Sequence, residues 1–434
     1  MTRPTANRMP GGSSIGMYVH IPFCETKCPY CDFNTYAGIE RLIPVYVDAL
    51  CEEARRWGEL LPGHEVRTVF FGGGTPSYLP TGDLRRVMSA VTAGFSLESQ
   101  AEVTLEANPG DVTQDRAAGW LAAGFNRVSM GVQSFDDDLL TLLGRRHTAA
   151  QAVEAFSVLR REGFANRSLD LIFGLPNQTL QQWEESLEQT LELEPDHVSL
   201  YGLQIEEGTP LEAFVRFGKV PRPDDDLAAD MYLIARENLA VAGFRHYEIS
   251  NWALPSMESQ HNLIYWRNEP YLGIGPGAHS SMLGHRFANM KSPRWYVRSL
   301  GFEVPADGLL NLSGAQPRRP DIPDSTPTQQ RQMVANGPVD FVEQTTARLE
   351  LAETMMMGMR LDTGVREQVF RARFGKSLRD MFSSEIDQLI QAGLIEEDTD
   401  GIRLSYAGKL LGNEVFGVFV AAAEAMDAAK LPLT

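Results

Sequence analysis

Between residues 16 and 203, short apolar runs alternate with longer stretches in which apolar residues recur every three to four positions. The runs at 17–21, 66–71, 102–106, 127–131, 168–173 and 198–203 are continuous or nearly continuous in apolar residues. That pattern predicts strands buried on both faces of a parallel sheet. The stretches at 42–57, 83–92, 148–162 and 179–191 predict amphipathic helices between them. Six such repeats, joined by right-handed crossovers, suit either a partial (β/α) barrel or a doubly wound sheet. Both architectures gather ligands at the carboxyl ends of the strands. The polar residues that stand out fall there: the run Gly72-Gly73-Gly74-Thr75, then Glu106, Gln133 and Asp170.

The second half of the chain is patterned differently. A helix is expected at 227–242, followed by a stretch rich in aromatics and glycine at 247–281. Residues 303–340 carry more Pro, Gly and Gln and predict an irregular insertion. Beyond them Leu349, Ala352, Met356 and Met359 fall on one helical face, which makes the methionines core packing rather than thioether ligands. Helices at 366–374 and 378–392, a hairpin at Asp400-Gly401 and a last helix from Tyr406 suggest a small winged-helix-like module. The resulting division is a flexible N-terminus (1–15), a barrel (16–220), a barrel extension (221–302), the insertion (303–340) and a helical, winged-helix-like C-terminal domain (341–434).

Charge narrows the partners. The 434 residues include 39 Lys and Arg against 57 Asp and Glu, a formal charge of −18. Nucleic acid and anionic lipid both require clustered cations, so neither is expected as the main partner. No apolar run reaches the ~18 residues of a membrane span, and residues 1–10 lack the apolar core of a signal peptide. These features predict a cytoplasmic protein.

Three of the four cysteines, Cys24, Cys28 and Cys31, lie within eight residues directly after the first strand, and Cys51 stands apart in the first helix as an expected core thiol. A structural zinc site normally has four ligands, and no second Cys pair exists. A 4Fe–4S cluster is held by thiolates, and three of them leave one iron open to a ligand with N and O donors. The glycine run alone is better explained by a tight turn.

The spacing Cys24-x3-Cys28-x2-Cys31, with Tyr30 before the third Cys, resembles the cluster loop of radical S-adenosylmethionine (SAM) proteins. Further motifs are similar to one branch of that family, the oxygen-independent coproporphyrinogen III dehydrogenases and their relatives. They are Tyr18-Val-His-Ile-Pro-Phe, Gly72-Gly-Gly-Thr-Pro, Glu106-Ala-Asn-Pro, Gly131-Val-Gln-Ser-Phe, Arg145-Arg-His and Asp170-Leu-Ile-Phe-Gly-Leu-Pro. The resemblance implies a partial (β/α)6 TIM-like barrel with a C-terminal α+β extension. It further implies a 4Fe–4S cluster on Cys24, Cys28 and Cys31, and a SAM pocket lined by Tyr18, Tyr30, Gly73, Gly74, Thr75, Glu106, Gln133, Arg145 and Asp170. Gln204 and His279 fall near positions where the dehydrogenases touch a second SAM.

Two features point away from the dehydrogenases. Phe33 stands where they carry a fourth cysteine, and only 23 residues precede Cys24. The run His261-Asn262-Leu-Ile-Tyr265-Trp266 resembles a signature of the branch's heme chaperones, which implies heme as a third cofactor, bound by His261, Asn262, Tyr265 and Trp266. Imidazole is a usual axial ligand of heme iron, and Trp252, Tyr265, Trp266 and Tyr271 are expected to offer flat surface to a porphyrin. The resemblance implies transfer of heme to acceptor hemoproteins, respiratory ones among them, met at the membrane through protein contacts. The enzymatic alternative is oxidative decarboxylation of coproporphyrinogen III or another radical SAM modification of a porphyrin.

Overall fold

The apolar runs form strands β1 (Ser14–Ile21), β2 (Glu65–Gly73), β3 (Ser96–Ala107), β4 (Arg127–Gln133), β5 (Asn166–Phe173) and β6 (His197–Gly202). The computed structural model describes residues 14–305 and 320–426. Neighbouring strands from β1 to β6 pair in parallel and in chain order. The connections carry α1 (Ile43–Leu60), α2 (Thr81–Gly94), α3 (Gln114–Ala122), α4 (Asp137–Leu142), α5 (Ala149–Glu162) and α6 (Leu180–Glu192). The fully buried Trp57, Trp120 and Trp183 of α1, α3 and α6 belong to one core with the strand residues. Capping boxes at Thr148 and Thr179 fix the starts of α5 and α6 by satisfying backbone N–H groups that the helix leaves unpaired.

The sheet extends past both ends of this unit and does not close. After β6 come α7 (Pro210–Arg216), α8 (Asp225–Val241), β7 (Arg245–Glu248), β8 (Asn251–Ala253), α9 (Gln260–Trp266), β9 (Tyr271–Ile274), β10 (His279–Met282) and β11 (His285–Asn289). β8 and β7 add to the β6 edge, while β9, β10, β11 and β12 (Val339–Gln344) add to the β1 edge. Among the described residues the result is one open sheet of 12 strands, so the expected partial barrel is realised as a largely parallel, unclosed sheet.

Two expectations need correction. Within 303–340, Thr328–Asn336 is a helix with Gln330, Met333 and Val334 buried, and β12 begins at Val339 as the last strand of the main sheet. Residues 306–319 of that insertion and residues 1–13 of the expected flexible N-terminus lie outside the described residues. The helix Ala347–Gly358 buries Leu351, Ala352 and Met355, and Met359 just beyond it is also buried, whereas Met356 is exposed. The helix is therefore rotated from the face first expected, because it must pack against Gly412–Ala425 in a second, separate core. That core holds helices Glu367–Phe374 and Leu378–Gln391 with a three-stranded antiparallel sheet, the layout anticipated for a winged-helix-like module.

Candidate cluster and cofactor site

β1 ends at Ile21 and delivers the chain to the cysteine loop. Three backbone hydrogen bonds pin the loop: Cys24 N–H to Tyr36 O at 2.9 Å, Cys31 N–H to Cys28 O at 3.1 Å and Thr75 N–H to Phe23 O at 2.8 Å. The glycine run that follows β2 lies against it. Gly74 donates to Ile21 O at 2.7 Å, and a Cβ there would come within 2.7 Å of Phe23 O. Gly73 has φ +109°, and a Cβ would sit 2.5 Å from the His20 ring. Both positions require glycine for close approach.

The three cysteines open onto one cavity of about 440 Å³. Each sulfur has a polar neighbour: Thr75 Oγ1 donates to Cys24 Sγ at 3.5 Å, Arg145 Nη1 donates to Cys28 Sγ at 3.5 Å, and Thr35 Oγ1 lies 3.9 Å from Cys31 Sγ. Burial pushes the Cys24 and Cys31 thiols up, so a bound metal must supply the charge that keeps them deprotonated. Among the described residues no three ligating side chains converge closely enough for a single metal ion. Three thiols spread around a cavity instead fit a cluster, in which each thiolate meets a different iron.

Of the nine residues expected around SAM, eight line this cavity: Tyr30, Gly73, Gly74, Thr75, Glu106, Gln133, Arg145 and Asp170. Tyr18 does not. It faces an adjoining cleft, where its hydroxyl meets His20 Nδ1 at 3.0 Å. Glu106 accepts from Gly73 N–H at 3.1 Å. Burial, reinforced by the charge of Asp170, raises its carboxyl to about 8. Asp170 is also raised by burial, against the pull of Ser129 and Ser168, whose hydroxyls donate to it at 3.0 and 3.2 Å. Two buried acids, both pushed up by burial and with one amide and few hydroxyls for partners, suit a cationic ligand with hydroxyl groups. Gln133 adopts φ +74° where the β4–β5 register shifts, a strained backbone of the kind retained at binding sites. Arg145 donates to Gly131 O at 2.6 Å, yet its Nε is buried without a partner. Ser129 and Tyr201 also line the cavity. Both lie in predicted strands, and only the inward alternation of those strands could have singled them out.

The expected heme residues are elsewhere. His261, on α9, is 1% exposed and stacked on Phe70 at 5.0 Å between ring centroids. Thr68 Oγ1 holds its Nδ1 at 2.8 Å and Tyr265 Oη holds its Nε2 at 2.8 Å. In this arrangement neither nitrogen is presented to an iron atom. Trp252 is 1% exposed and stacked on His246, so it offers no open face, and one face of Trp266 is covered by the Arg360 guanidinium at 4.5 Å. Asn262 is half-buried in the first turn of α9, its N–H capped by Ser259 Oγ at 3.4 Å. Cys51 is half-buried in a groove with Arg55 and Arg86 rather than in the core.

Comparison with known proteins gives the family. Residues 18–190 match the Radical SAM superfamily and residues 346–411 the HemN C-terminal domain. The chain is 35% identical over 404 residues to the heme chaperone HemW of Bacillus subtilis, covering 93% of this chain and 98% of that protein. The chain belongs to the HemW family of radical SAM proteins. A mitochondrial radical S-adenosyl methionine domain-containing protein 1 of mouse is 37% identical, with 90% of this chain and 84% of that protein covered. The coproporphyrinogen III oxidase HemN of Escherichia coli shares the fold, with TM-score 0.77, 22% identity, and coverage of 95% of this chain and 91% of that one. Phe33, two residues after the third cysteine, is 65% exposed at the cavity rim. No helix among the described residues is long and apolar enough to cross a membrane.

Proposed function

We propose that this chain is a heme chaperone that binds heme beside a 4Fe–4S cluster and SAM and passes it to acceptor hemoproteins, respiratory enzymes among them. The observation that carries the reading is the continuity of two cavities. A second cleft of about 430 Å³ shares Gly73, Glu106 and Phe33 with the cysteine cavity, and its wall includes Tyr265 of the His-Asn-x-x-Tyr-Trp run. Cys24, Cys28 and Cys31 would hold the cluster. When bound, the cluster supplies an open iron for SAM and an electron source. Tyr30, Gly73, Gly74, Thr75, Glu106, Gln133, Arg145 and Asp170 would orient SAM and exclude water. Tyr18 contributes from the adjoining cleft. In the heme role, His261 positions Tyr265, and Trp266 seats the C-terminal module through Arg360. With the net negative charge, contact with a membrane acceptor would run through protein surfaces, from a cytoplasmic location.

Hemin titrated into the cluster-loaded chain is expected to bind at about one per chain and to move to an apo-hemoprotein on mixing. Absence of binding, or conversion of coproporphyrinogen III by the same preparation under anaerobic conditions, overturns the reading.

Glu106 gives a separate check on SAM. Its carboxyl, at about 8, is largely protonated at pH 7. A cationic ligand stabilises the carboxylate, so binding expels the proton. Affinity then rises as pH increases toward 8, by up to about tenfold per unit. Calorimetry in buffers of different ionisation enthalpy should show proton release at pH 7 that Glu106→Gln removes. Equal release in the variant rejects this role.

A further inference from the structure

Resting on the heme-chaperone reading, we infer that His279, not His261, supplies the imidazole that ligates heme iron, at the open cleft between the cysteine loop and β10. Elimination among the eight histidines comes first. His20, His197, His246 and His261 have both ring nitrogens engaged, and His64, His147 and His285 have one bonded to a backbone carbonyl. His147 and His285 are also buried, and His64 precedes β2 at the opposite end of the sheet from the cysteines. The His279 ring alone is exposed and without a hydrogen-bond partner among the described residues.

The cleft around it suits a flat, apolar ligand with carboxylates. Tyr265 and Tyr271 meet edge to face at 4.7 Å along its wall, and Phe33 projects at its rim. Lys291 is exposed nearby, and its charge bears on the imidazole.

The position is also rigid. Gly277 has φ +77°, and a Cβ there would meet Asn34 Nδ2 at 2.6 Å. Asn34 Nδ2 donates to Pro276 O and Lys291 O, both at 3.0 Å. Buried Glu53 accepts from Gly275 N–H at 2.8 Å. One residue after Phe33, Asn34 thus ties the cysteine loop to the turn that presents His279, and the cluster loop and the heme cleft share a wall.

The test is hemin titration of the cluster-loaded full chain, read by visible absorption and electron paramagnetic resonance. His279→Ala, at an exposed strand position, is expected to keep the wild-type circular dichroism. It should lose the imidazole-ligated heme spectrum and bind about tenfold or more weakly. Added imidazole should restore the spectrum, and His279→Met should convert it to a thioether-ligated form. An unchanged spectrum and affinity in His279→Ala overturns the inference while leaving the chaperone reading intact. A wild type that binds no hemin overturns both. Two SAM per chain in the wild type and one in His279→Ala, with the hemin spectrum unaltered, would make the cleft a second SAM site and also overturn it.

Discussion

Cys28→Ala is expected to leave the purified chain almost free of iron and sulfide after anaerobic reconstitution, against about four of each in the wild type. Three thiols line the cavity, and in the proposed cluster each would be the protein ligand of one iron. Removing one leaves two thiolates for a four-iron core, and Arg145, which donates to Cys28 Sγ at 3.5 Å, then faces an empty corner. The brown colour from thiolate-to-iron charge transfer should disappear with the iron. SAM affinity should fall with it, because the open iron is lost even though Glu106 and Asp170 remain. Cys24→Ala and Cys31→Ala should behave alike. Cys51→Ala should retain a full cluster, since its thiol lies in the groove with Arg55 and Arg86 on the outer helices. A wild-type complement of iron in Cys28→Ala, or stoichiometric zinc in place of iron in the wild type, would remove the cluster from this site.

The cysteine cavity was legible in the sequence because its parts are local. A triplet within eight residues, a glycine run after a strand and polar residues at successive strand ends each announce themselves in one dimension. The six parallel strands were legible for the same reason, since burial on both faces leaves continuous apolar runs. The sheet edges were not. β9 and β10 are four residues each, and their pairing with β1 and β11 joins segments that no periodicity links. The helix Thr328–Asn336 reads as polar, yet Gln330 is fully buried, with its amide near Met282 O at 3.3 Å. The surroundings of the expected heme residues were illegible for a related reason. A histidine among aromatics has the same appearance whether it faces solvent or core, and the hydroxyl that decides the matter for His261 belongs to Thr68, 193 residues earlier. His279 is the reverse: it looks like a turn residue, and only the fold brings Tyr271, Phe33 and Lys291 around it.

His261→Ala is expected to cost about 3–5 kcal/mol of folding stability at pH 7, the sum of a ring-sized cavity and two severed hydrogen bonds. Thr68 is 1% exposed, so its hydroxyl would be left without the nitrogen it now meets, and the Tyr265 hydroxyl would lose its hydrogen bond to the His261 ring. His261→Gln, which keeps a polar end group, should recover part of the loss. The deficit should also depend on pH, with a sign set by burial. Desolvation, helped by the charges of Arg127 and Arg67, lowers the His261 pKa to about 3. The unfolded chain therefore takes up this proton first as pH falls below about 6.5. The stability contributed by the neutral ring is complete above that value and declines toward pH 3 at about 1.4 kcal/mol per unit. The alanine variant has no such proton to gain, so its deficit should shrink by about 2 kcal/mol between pH 6.5 and 5. His20, His147 and His246, lowered to about 4, act in the same direction. Glu106 and Glu53, raised to about 8 and 7, act in the opposite one. All five are common to both proteins and cancel in the difference. Urea midpoints for wild type and variant at the two pH values measure it, and a deficit that stays constant would mean that His261 titrates as an exposed imidazole, free to reach a ligand.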